Sequence, residues 1–387
     1  MDKQMLFARA DQLEDRMFDL ACRIFDRPEV GLEEYFAAEL LTDALEKLGF
    51  TVERGIAGLP TAFRATWQQG RGGPHIGILG EYDALEGKGH GCGHHLQTPA
   101  AIAALCVLRE ALEKTGQSAQ LTLYGTPAEE AGGGKVIMAE QGLFRELDAA
   151  LATHSSRTAG FVSIGNLASH SRIVTFHGKS AHAAGSPWLG RSAMDAMLLT
   201  FQGLEFLREH VKDGTRIMYA IRQAIGPSNV VPQEAQCLIN VRSPDNNDIP
   251  ELLARMEKVC QGACLMTETT CDFQSRKGYM AKKPNYVLGQ VALDNYPLAG
   301  IPVAKEVYRR SEGSSDVGNV SVLVPTLALY APYVDAPSHS DAWVEAGKTE
   351  AARGCMRGMT RMLLAVSWDL IQNPQLLRQA KEEFNRT

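Results

Sequence analysis

The chain has 387 residues, of which 45% are hydrophobic and 36 are glycine, a size and composition typical of two domains that each bury a core. Its formal net charge of −6 at pH 7, without any block of like charges, gives no basic surface for nucleic acid or acidic lipid and favours a small-molecule partner. No secretory pattern, no apolar run of about 18 residues and no compact cysteine framework occurs, so we expect a cytoplasmic protein with reduced thiols and no membrane contact.

The first part of the chain alternates helix and strand patterns. Apolar residues at helical spacing run through EEYFAAELLTDALEKLGF and stop at Gly49, and PTAFRATW then alternates as a strand does. Polar or glycine-rich loops follow the short apolar runs HIGILG, LTLYG and AALATH, with crossover helices predicted at AAIAALCVLREALEKT and KVIMAEQGLF. These patterns predict a largely parallel sheet whose polar loops meet at the carboxyl ends of the strands, where open α/β sheets bind ligands.

Residues 168–282 follow a different pattern. The predicted elements are a strand in SRIVTFHGKSAH, a helix in RSAMDAMLLTFQGLEFLREHV, strands in RIMYAIRQAI and EAQCLINVRS, a helix in NDIPELLARMEKVCQGACLM and a strand in CDFQSRKGYM. This βαββαβ order is that of a ferredoxin-like unit. The α/β pattern resumes with VPTLALYAP, and a long helix is expected from about Glu350 to Gln372, ahead of Pro374. We therefore predict an α/β domain formed by residues 1–167 and 283–387, with an inserted domain at 168–282.

The heptapeptide GHGCGHH, residues 89–95, places three histidines and a cysteine between glycines. One interpretation is a metal site, in which Cys92 as thiolate and His94 as neutral imidazole are ligands that zinc and similar ions accept. A second is a nucleophilic Cys92 activated by a neighbouring histidine. A third is a glycine-rich turn with its histidines in solvent. The heptapeptide alone leaves all three open.

Three other loops at strand ends favour the metal site. The segment TPAEEAGGG places Glu129 beside Glu130. Two adjacent negative charges repel each other unless a nearby cation offsets the repulsion, which would let one carboxylate bind the cation and leave the other for a different role. His154 follows a buried apolar run in ATHSS, and His339 follows another in APSHSDAW. A single histidine in such a place is more often structural, but the predicted topology brings all four loops to one edge of the sheet. We therefore predict a metal centre there.

Six segments, taken in order between about Glu29 and Trp343, resemble the M20 metallopeptidase family: EYDALEGKGHGCGHH, TPAEEAGGG, ATH, GKSAHAA, NVVPQEA and GSSDVGNVS. They are most similar to the amidohydrolase branch of that family, which includes aminobenzoyl-glutamate hydrolases, N-acyl amino acid hydrolases, auxin-conjugate hydrolases and certain dipeptidases. The resemblance implies a zinc-peptidase-like catalytic domain with a mixed sheet flanked by helices. It also implies that the inserted ferredoxin-like α+β domain is a lid that commonly forms a homodimer.

The resemblance further implies a set of metal ligands. Cys92 matches the cysteine that bridges two metal ions in the amidohydrolase branch, in place of the aspartate used by the wider family. His94, Glu130, His154 and His339 match the remaining ligands. Two divalent ions are implied, zinc or manganese first, although such mixed ligands also accept cobalt or nickel.

Other residues match positions outside this ligand set. Glu129 resembles the general base, and His182 resembles a lid histidine that contacts the substrate and stabilises the oxyanion, often across the dimer interface. Asp83 is either a residue that orients a ligand or a solvated loop acid. Asn229 either contacts substrate or shapes a turn. His95 departs from the branch, which has Asn or Asp there. It is a spare ligand, a donor that orients a ligand, or a residue at the start of a helix, and the last is our default interpretation.

The activity implied is metal-dependent hydrolysis of an amide between an acyl or aryl group and an amino acid. Two cations about 3.5 to 4 Å apart hold and activate a water, and Glu129 accepts its proton and passes it to the leaving amine. The runner-up is a dipeptidase of the same family, followed by a cysteine-nucleophile amidase and a non-catalytic binding homologue. The segment APYVDAPSHSDAW differs from its counterpart in aminobenzoyl-glutamate hydrolases, so the substrate stays open.

Overall fold

The computed structural model of the protein describes residues 2–130, 132–224, 226–311 and 313–386. These residues form two compact units. The larger unit comprises the chain up to Gly165, Lys282–Ser311 and the chain from Ser315 onward, and the smaller unit comprises Asn166–Ala281 with a short piece that ends at Ser314.

The strands and helices follow in chain order. The strands are β1 Thr51–Arg54, β2 Phe63–Gln69, β3 His75–Gly80, β4 Ala119–Gly125, β5 Ala149–Ser156, β6 Gly160–Ser163, β7 Ala168–His177, β8 Arg216–Gln223, β9 Glu234–Ser243, β10 Thr270–Ser275, β11 Val303–Arg309 and β12 Thr326–Pro332. The helices are α1 Lys3–Asp11, α2 Glu14–Asp26, α3 Tyr35–Lys47, α4 Gln97–Thr115, α5 Gly134–Glu140, α6 Ala193–Arg208, α7 Ile249–Thr267, α8 Tyr286–Asn295, α9 Val317–Ser321, α10 Asp341–Glu345, α11 Glu350–Gln372 and α12 Pro374–Arg386.

The larger unit is built on a six-stranded mixed sheet in the order β1-β2-β4-β3-β5-β12. Strands β4, β3, β5 and β12 are mutually parallel, and the β1-β2 and β2-β4 pairs are antiparallel. A separate parallel pair joins β6 to β11. Because the four parallel strands run in one direction, the loops that follow them all leave the sheet at the same edge.

Helices cover both faces of the central sheet. On one face, Ile78, Leu123 and Leu151 pack into the main core with helices α4 and α11. On the other face, alternate residues such as Leu79 and Tyr124 belong to a smaller core with α5 and α9. Side chains alternate between faces along a strand, so strands covered on both faces are apolar throughout, as in HIGILG.

The smaller unit has the predicted βαββαβ order. Its four-stranded sheet is antiparallel in the order β10-β7-β9-β8. Helices α6 and α7 pack on one another and on the sheet, and the core between them contains Phe176, Met197, Ile239 and Met256. The α/β fold with an inserted ferredoxin-like unit is therefore confirmed.

Several local predictions also agree with the structure. The helix predicted before Gly49 is α3, which ends in a turn where Gly49 has φ = 82°, a conformation that favours glycine. The long C-terminal helix spans Glu350–Gln372 as expected. Helices α1 and α2 and the β6-β11 pair were not predicted. Within the described residues no helix has both the length and the apolarity needed to cross a membrane, and all eight cysteines are free thiols.

Candidate metal centre

The loops at the carboxyl edge of the central sheet bring titratable side chains together. Three overlapping groups each offer ligand atoms within 4.8 Å of one another. The groups are Cys92, His94 and Glu130; Glu81, His94 and His154; and Glu81, Glu129 and Asp316. The second and third groups also contain residues that the sequence analysis did not single out as ligands.

His94 lies at the centre of these groups. Its Nδ1 atom lies 3.0 Å from Asp83 Oδ1, and its Nε2 atom lies 3.3 Å from Glu81 Oε2. Burial opposes a positive charge on the ring, but Asp83 and Glu81 outweigh burial and raise the pKa of His94 well above its ordinary value. The ring is thus held in an anionic environment that also suits a bound cation.

Two buried atoms in the Cys92 group make no well-formed hydrogen bond with any described residue. They are His94 Nε2, which has Glu81 Oε2 at 3.3 Å, and Glu130 Oε1, which has His339 Nε2 at 3.7 Å. Buried polar atoms are rarely left without a partner, because the lost hydration costs roughly 1 to 3 kcal/mol per atom. A metal ion would satisfy both atoms and would also accept the Cys92 sulfur. The donor set therefore fits a divalent transition metal by its chemistry and by these two atoms.

The thiol of Cys92 is poorly suited to act as a free nucleophile. It is 6% exposed, and burial followed by the nearby Glu130 carboxylate raises its pKa. A nucleophilic cysteine needs the opposite shift, which a neighbouring cation supplies. The environment therefore favours Cys92 as a metal ligand over the cysteine-nucleophile interpretation.

His154 and His339 approach the cluster from β5 and from the loop after β12. His154 Nδ1 lies 2.8 Å from Ser155 O, which leaves its other ring nitrogen for a second contact, and its ring lies 5.8 Å from that of His94. His339 Nε2 lies 3.7 Å from Glu130 Oε1, and its backbone N–H donates to Gly91 O. His339 has φ = 64° and its side chain is 52% exposed, so it lies at the open side of the cluster.

The loop after β4 presents Glu129 and Glu130 through a tightly held turn. Ala128 has φ = 59°, and its N–H donates to Glu34 Oε1 at 2.8 Å. The N–H of Glu130 donates to Asp83 Oδ2 at 2.9 Å. Asp83 therefore contacts both His94 and Glu130 and is 1% exposed, so it is not a solvated loop acid.

Glu129 faces other carboxylates. Exclusion of water, followed by the charges of Glu81 and Asp316, raises its pKa well above the ordinary value. A raised pKa brings a carboxyl group toward the range in which it exchanges protons near neutral pH.

Lys135 and Glu81 were not predicted as site residues, and Asp316 was expected only to shape the mouth of the pocket, as part of the segment GSSDVGNVS. The ammonium of Lys135 lies 2.7 Å from Glu81 Oε1 and 2.6 Å from Asp316 Oδ1, and all three side chains are buried. Burial opposes the charge on Glu81, but Lys135 lowers its pKa to about 2, whereas burial and Glu81 raise that of Asp316 to about 6. Glu81 could have been predicted as a site residue from the sequence, because it directly follows β3 and is therefore a carboxylate at a strand end.

His182 and Asn229 lie in the smaller unit on neighbouring segments. His182 Nδ1 accepts hydrogen bonds from the N–H groups of Gly185 at 2.9 Å and Ala184 at 3.2 Å. These contacts assign the proton of the neutral ring to Nε2, which then serves as a donor. Asn229 O accepts from Ala183 N at 2.8 Å, so the backbone of Asn229 supports the His182 segment.

His95 lies in a short turn that leads into α4, as expected of a residue at a helix start. Its ring is buried against Phe25 and His90, each at 5.0 Å, and its Nε2 lies 2.9 Å from Gly347 O. Burial, followed by His90, lowers the pKa of His95 well below its ordinary value. The His95 ring is therefore neutral, and its contacts help to hold the loop that carries Cys92 in place.

Known proteins resemble this chain over most of its length. The model of peptidase family M20/M25/M40 matches residues 77–340. A p-aminobenzoyl-glutamate hydrolase subunit of Escherichia coli (strain K12) is 34% identical over 96% of this chain and 92% of the relative. The Xaa-Arg dipeptidase of Mus musculus is 33% identical over 99% and 92%.

Solved structures share the fold. An aminobenzoyl-glutamate utilization protein from Klebsiella pneumoniae aligns with a TM-score of 0.70 at 21% identity, over 90% of this chain and 96% of that one. A protein from Bacillus subtilis, described as a dinuclear metal binding peptidase from the M20 family, aligns with a TM-score of 0.69 at 17% identity, over 94% and 99%.

Proposed function

Because the chain belongs to peptidase family M20/M25/M40 and is a metal-dependent hydrolase of amide bonds, we propose that it cleaves the amide between an acyl or aryl group and an amino acid. The observation that carries the proposal is the Cys92, His94 and Glu130 group beside Glu129, in which two buried ligand atoms have no hydrogen-bond partner among the described residues. The relative named for aminobenzoyl-glutamate hydrolysis supports this substrate class.

The proposed cofactor is a pair of divalent ions, zinc or manganese, with cobalt and nickel as chemically acceptable substitutes. Cys92, His94, Glu130, His154 and His339 would hold them, with Asp83 orienting His94 and Glu130 through its two carboxylate oxygens. When bound, the ions would polarise the amide carbonyl and lower the pKa of a water, so that hydroxide is available to attack the amide near neutral pH. The Bacillus subtilis peptidase, described as dinuclear, supports a two-ion site in this fold.

Glu129 is the proposed general base. Its carboxylate accepts the proton of the attacking water and delivers it to the departing amine nitrogen, so that neither the hydroxide nor the amine anion has to exist free. The neighbouring Glu130 donates a hydrogen bond from its N–H to Asp83, which orients the residue, and its carboxylate is the proposed metal ligand. The adjacent carboxylates thus have separate roles.

His182 is the proposed donor to the oxyanion that forms on the substrate carbonyl. Its Nδ1 already accepts two backbone N–H groups, so Nε2–H is available to donate. Asn229, whose backbone supports the same segment, is the proposed substrate contact. The smaller unit, proposed as the lid at 168–282 between catalytic segments 1–167 and 283–387, would carry both residues and form a homodimer in the cytoplasm.

A dipeptidase is the second candidate. The observation that favours it is the 33% identity to the Xaa-Arg dipeptidase over 99% of this chain, as extensive as the match to the aminobenzoyl-glutamate hydrolase subunit. Both activities use the same water attack and differ only in the group on the acyl side of the amide. A substrate panel therefore separates them.

The test compares wild type, Glu129→Gln and Glu130→Gln on N-acyl amino acids, aminobenzoyl-glutamate and dipeptides, with metal content measured on each protein. We expect Glu129→Gln to keep its metal and to lose roughly 100- to 10,000-fold in kcat, whereas Glu130→Gln loses metal as well. Full activity in Glu129→Gln would refute the general-base assignment. Chelator-resistant activity that thiol alkylation abolishes would instead support a cysteine nucleophile.

A further inference from the structure

A cavity of about 380 Å³ opens beside His154 in the larger unit. We call it the His154 cavity. Its lining includes Phe161, Tyr330, Arg157 and Arg309, together with residues of the loop that carries His339. A cavity next to a proposed metal ligand is a suitable place for the part of the substrate that flanks the scissile amide.

One wall of the cavity is aromatic. The rings of Phe161 and Tyr330 stack with centroids 4.0 Å apart and an interplanar angle of 17°. Tyr330 also lies 6.2 Å from the His154 ring, so the stack extends from the metal cluster into the cavity. A rigid aromatic wall accepts an aliphatic chain while leaving the polar end of that chain to find another partner.

Two arginines, Arg157 and Arg309, also line the cavity, together with neutral polar residues of the segment that follows His154. The guanidinium of Arg309 lies 5.1 Å from the centre of the Phe161 ring, and its Nε donates to Glu306 O. Among the described residues, no carboxylate forms an ion pair with Arg309. The ammonium of Lys282 lies 3.5 Å from the Tyr330 hydroxyl, which adds a second positive charge on this side.

Arg157 differs from Arg309 in its pairing. Its guanidinium lies 2.6 Å from Asp335 Oδ1, and both side chains are more than half exposed. Asp335 therefore offsets the charge of Arg157, while that of Arg309 remains available at the aromatic wall. An arginine over an aromatic ring still has N–H groups to donate to a planar carboxylate.

We propose that the His154 cavity binds a carboxylate on the amino-acid portion of the substrate and that Arg309 selects it. The proposal rests on the amide hydrolysis proposed above and adds its substrate class: the amino acid released is acidic rather than neutral or basic. The aliphatic part of that amino acid packs on the Phe161 and Tyr330 stack, and the carboxylate meets the Arg309 guanidinium. A basic amino acid would bring a second cation to the same place and be repelled.

The test measures kcat and KM of the metal-loaded protein on N-benzoyl-glutamate, N-benzoyl-glutamine and N-benzoyl-arginine. Glutamine has the shape of glutamate without its side-chain charge, so the ratio of the two kcat/KM values isolates the charge. We expect wild type to prefer glutamate by about tenfold, mainly through KM, and Arg309→Gln to reduce that preference by about 3- to 10-fold. Arg309→Glu should reverse it and raise hydrolysis of the arginine substrate.

Arg310→Gln is the matched control, because Arg310 is the adjacent arginine but is not part of the cavity lining. It should leave the glutamate preference unchanged. N-benzoyl-isoglutamine, which keeps the side-chain carboxylate and replaces the α-carboxylate with an amide, shows which carboxylate Arg309 binds. Dependence on Arg309 with N-benzoyl-isoglutamine, which retains only the side-chain carboxylate, supports the proposal. Dependence confined to the α-carboxylate, which every amino acid carries, would overturn the assignment of an acidic amino acid. A glutamate preference that Arg309→Glu leaves unchanged would overturn it.

If the proposed amide hydrolysis itself is wrong, the same assays give a different result. If the metal-loaded wild type cleaves none of these substrates and no other acylated amino acid, the proposed hydrolysis itself is wrong. Calorimetric binding of N-benzoyl-glutamate and N-benzoyl-glutamine to metal-loaded Glu129→Gln gives a readout that does not need turnover. Equal affinities there would refute the role of Arg309 even if the protein hydrolyses both compounds.

Discussion

Replacing Glu34 by glutamine tests the energetics of the turn that presents the proposed base. Glu34 is 0% exposed; its Oε1 accepts from Ala128 N at 2.8 Å, and its Oε2 accepts from Thr61 Oγ1 at 2.9 Å. Burial, followed by the negative charge of Asp83, raises the pKa of Glu34 from 4.5 to about 7. Folding therefore favours the protonated, neutral form of this side chain.

The size and sign of the effect follow from linkage between proton binding and folding. The difference of about 2.5 between the two pKa values corresponds to roughly 3 kcal/mol. This stabilisation is fully present below about pH 4.5 and is lost as the pH rises to about 7, because the folded protein must then hold a buried charge.

Glutamine keeps the contacts without the charge. Its amide oxygen accepts from Ala128 N, and its amide nitrogen donates to the Thr61 hydroxyl, which can rotate to accept. We expect Glu34→Gln to match wild type near pH 4.5 and to exceed its free energy of unfolding by roughly 3 kcal/mol at pH 8. Enzymatic activity should persist, because the Ala128 turn is still held.

The assay is urea unfolding at a series of pH values, followed by tryptophan fluorescence. Trp67, Trp343 and Trp368 all lie in the larger unit with Glu34. A chelator is present throughout, since a metal bound only to the folded state adds its own stabilisation. Glu33→Gln, at the exposed neighbouring position, controls for a general charge effect. A stability difference between Glu34→Gln and wild type that does not grow between pH 5 and 7 would refute the reasoning.

Three further substitutions test the site. Lys135→Met leaves two buried carboxylates without their ammonium and should lower the free energy of unfolding by about 3 to 5 kcal/mol, measured with urea in a chelator. Asp83→Ala removes the carboxylate partner of His94 Nδ1, leaves only the backbone oxygen of residue 83 at 3.2 Å, and should weaken metal affinity about 10- to 100-fold in a competition titration with a chromogenic chelator. Gly134→Ala places a Cβ 2.1 Å from Pro127 O, so it should displace the adjacent Glu129 loop and reduce kcat while the smaller unit, followed by hydrogen exchange, stays unchanged.

Strong sequence periodicity explains which elements were predictable. Helices α4 and α11 carry long apolar patterns with clear ends at Gly116 and Pro374, so their C-terminal ends agree with the prediction, while α4 begins three residues earlier than predicted, at Gln97. The β6-β11 pair joins residues about 140 positions apart, and its edge strands are short and partly exposed. Local sequence carries no signal for such a pairing, because its partner is selected by the tertiary fold.

The site also contains some residues that the sequence predicted and others that it did not. His94, Glu130 and His154 were predicted because each is a ligand-type residue at a strand end, and the structure brings each of them into a ligand group. Lys135 is the second residue of α5 and has no local feature that marks it as buried beside Glu81. Its position depends on the packing of α5 against the sheet, which a linear pattern does not encode.

Strand β12 pairs in parallel with β5, although the whole smaller unit separates them along the chain. During synthesis at about 5 to 20 residues per second, roughly 10 to 35 s pass between the emergence of Ser156 and that of Pro332. In that interval the nascent sheet has an open edge at β5, while the nearly contiguous smaller unit can already fold. His339 emerges later still, so the proposed ligand set can close around an ion only after both strands that flank the smaller unit have been synthesised.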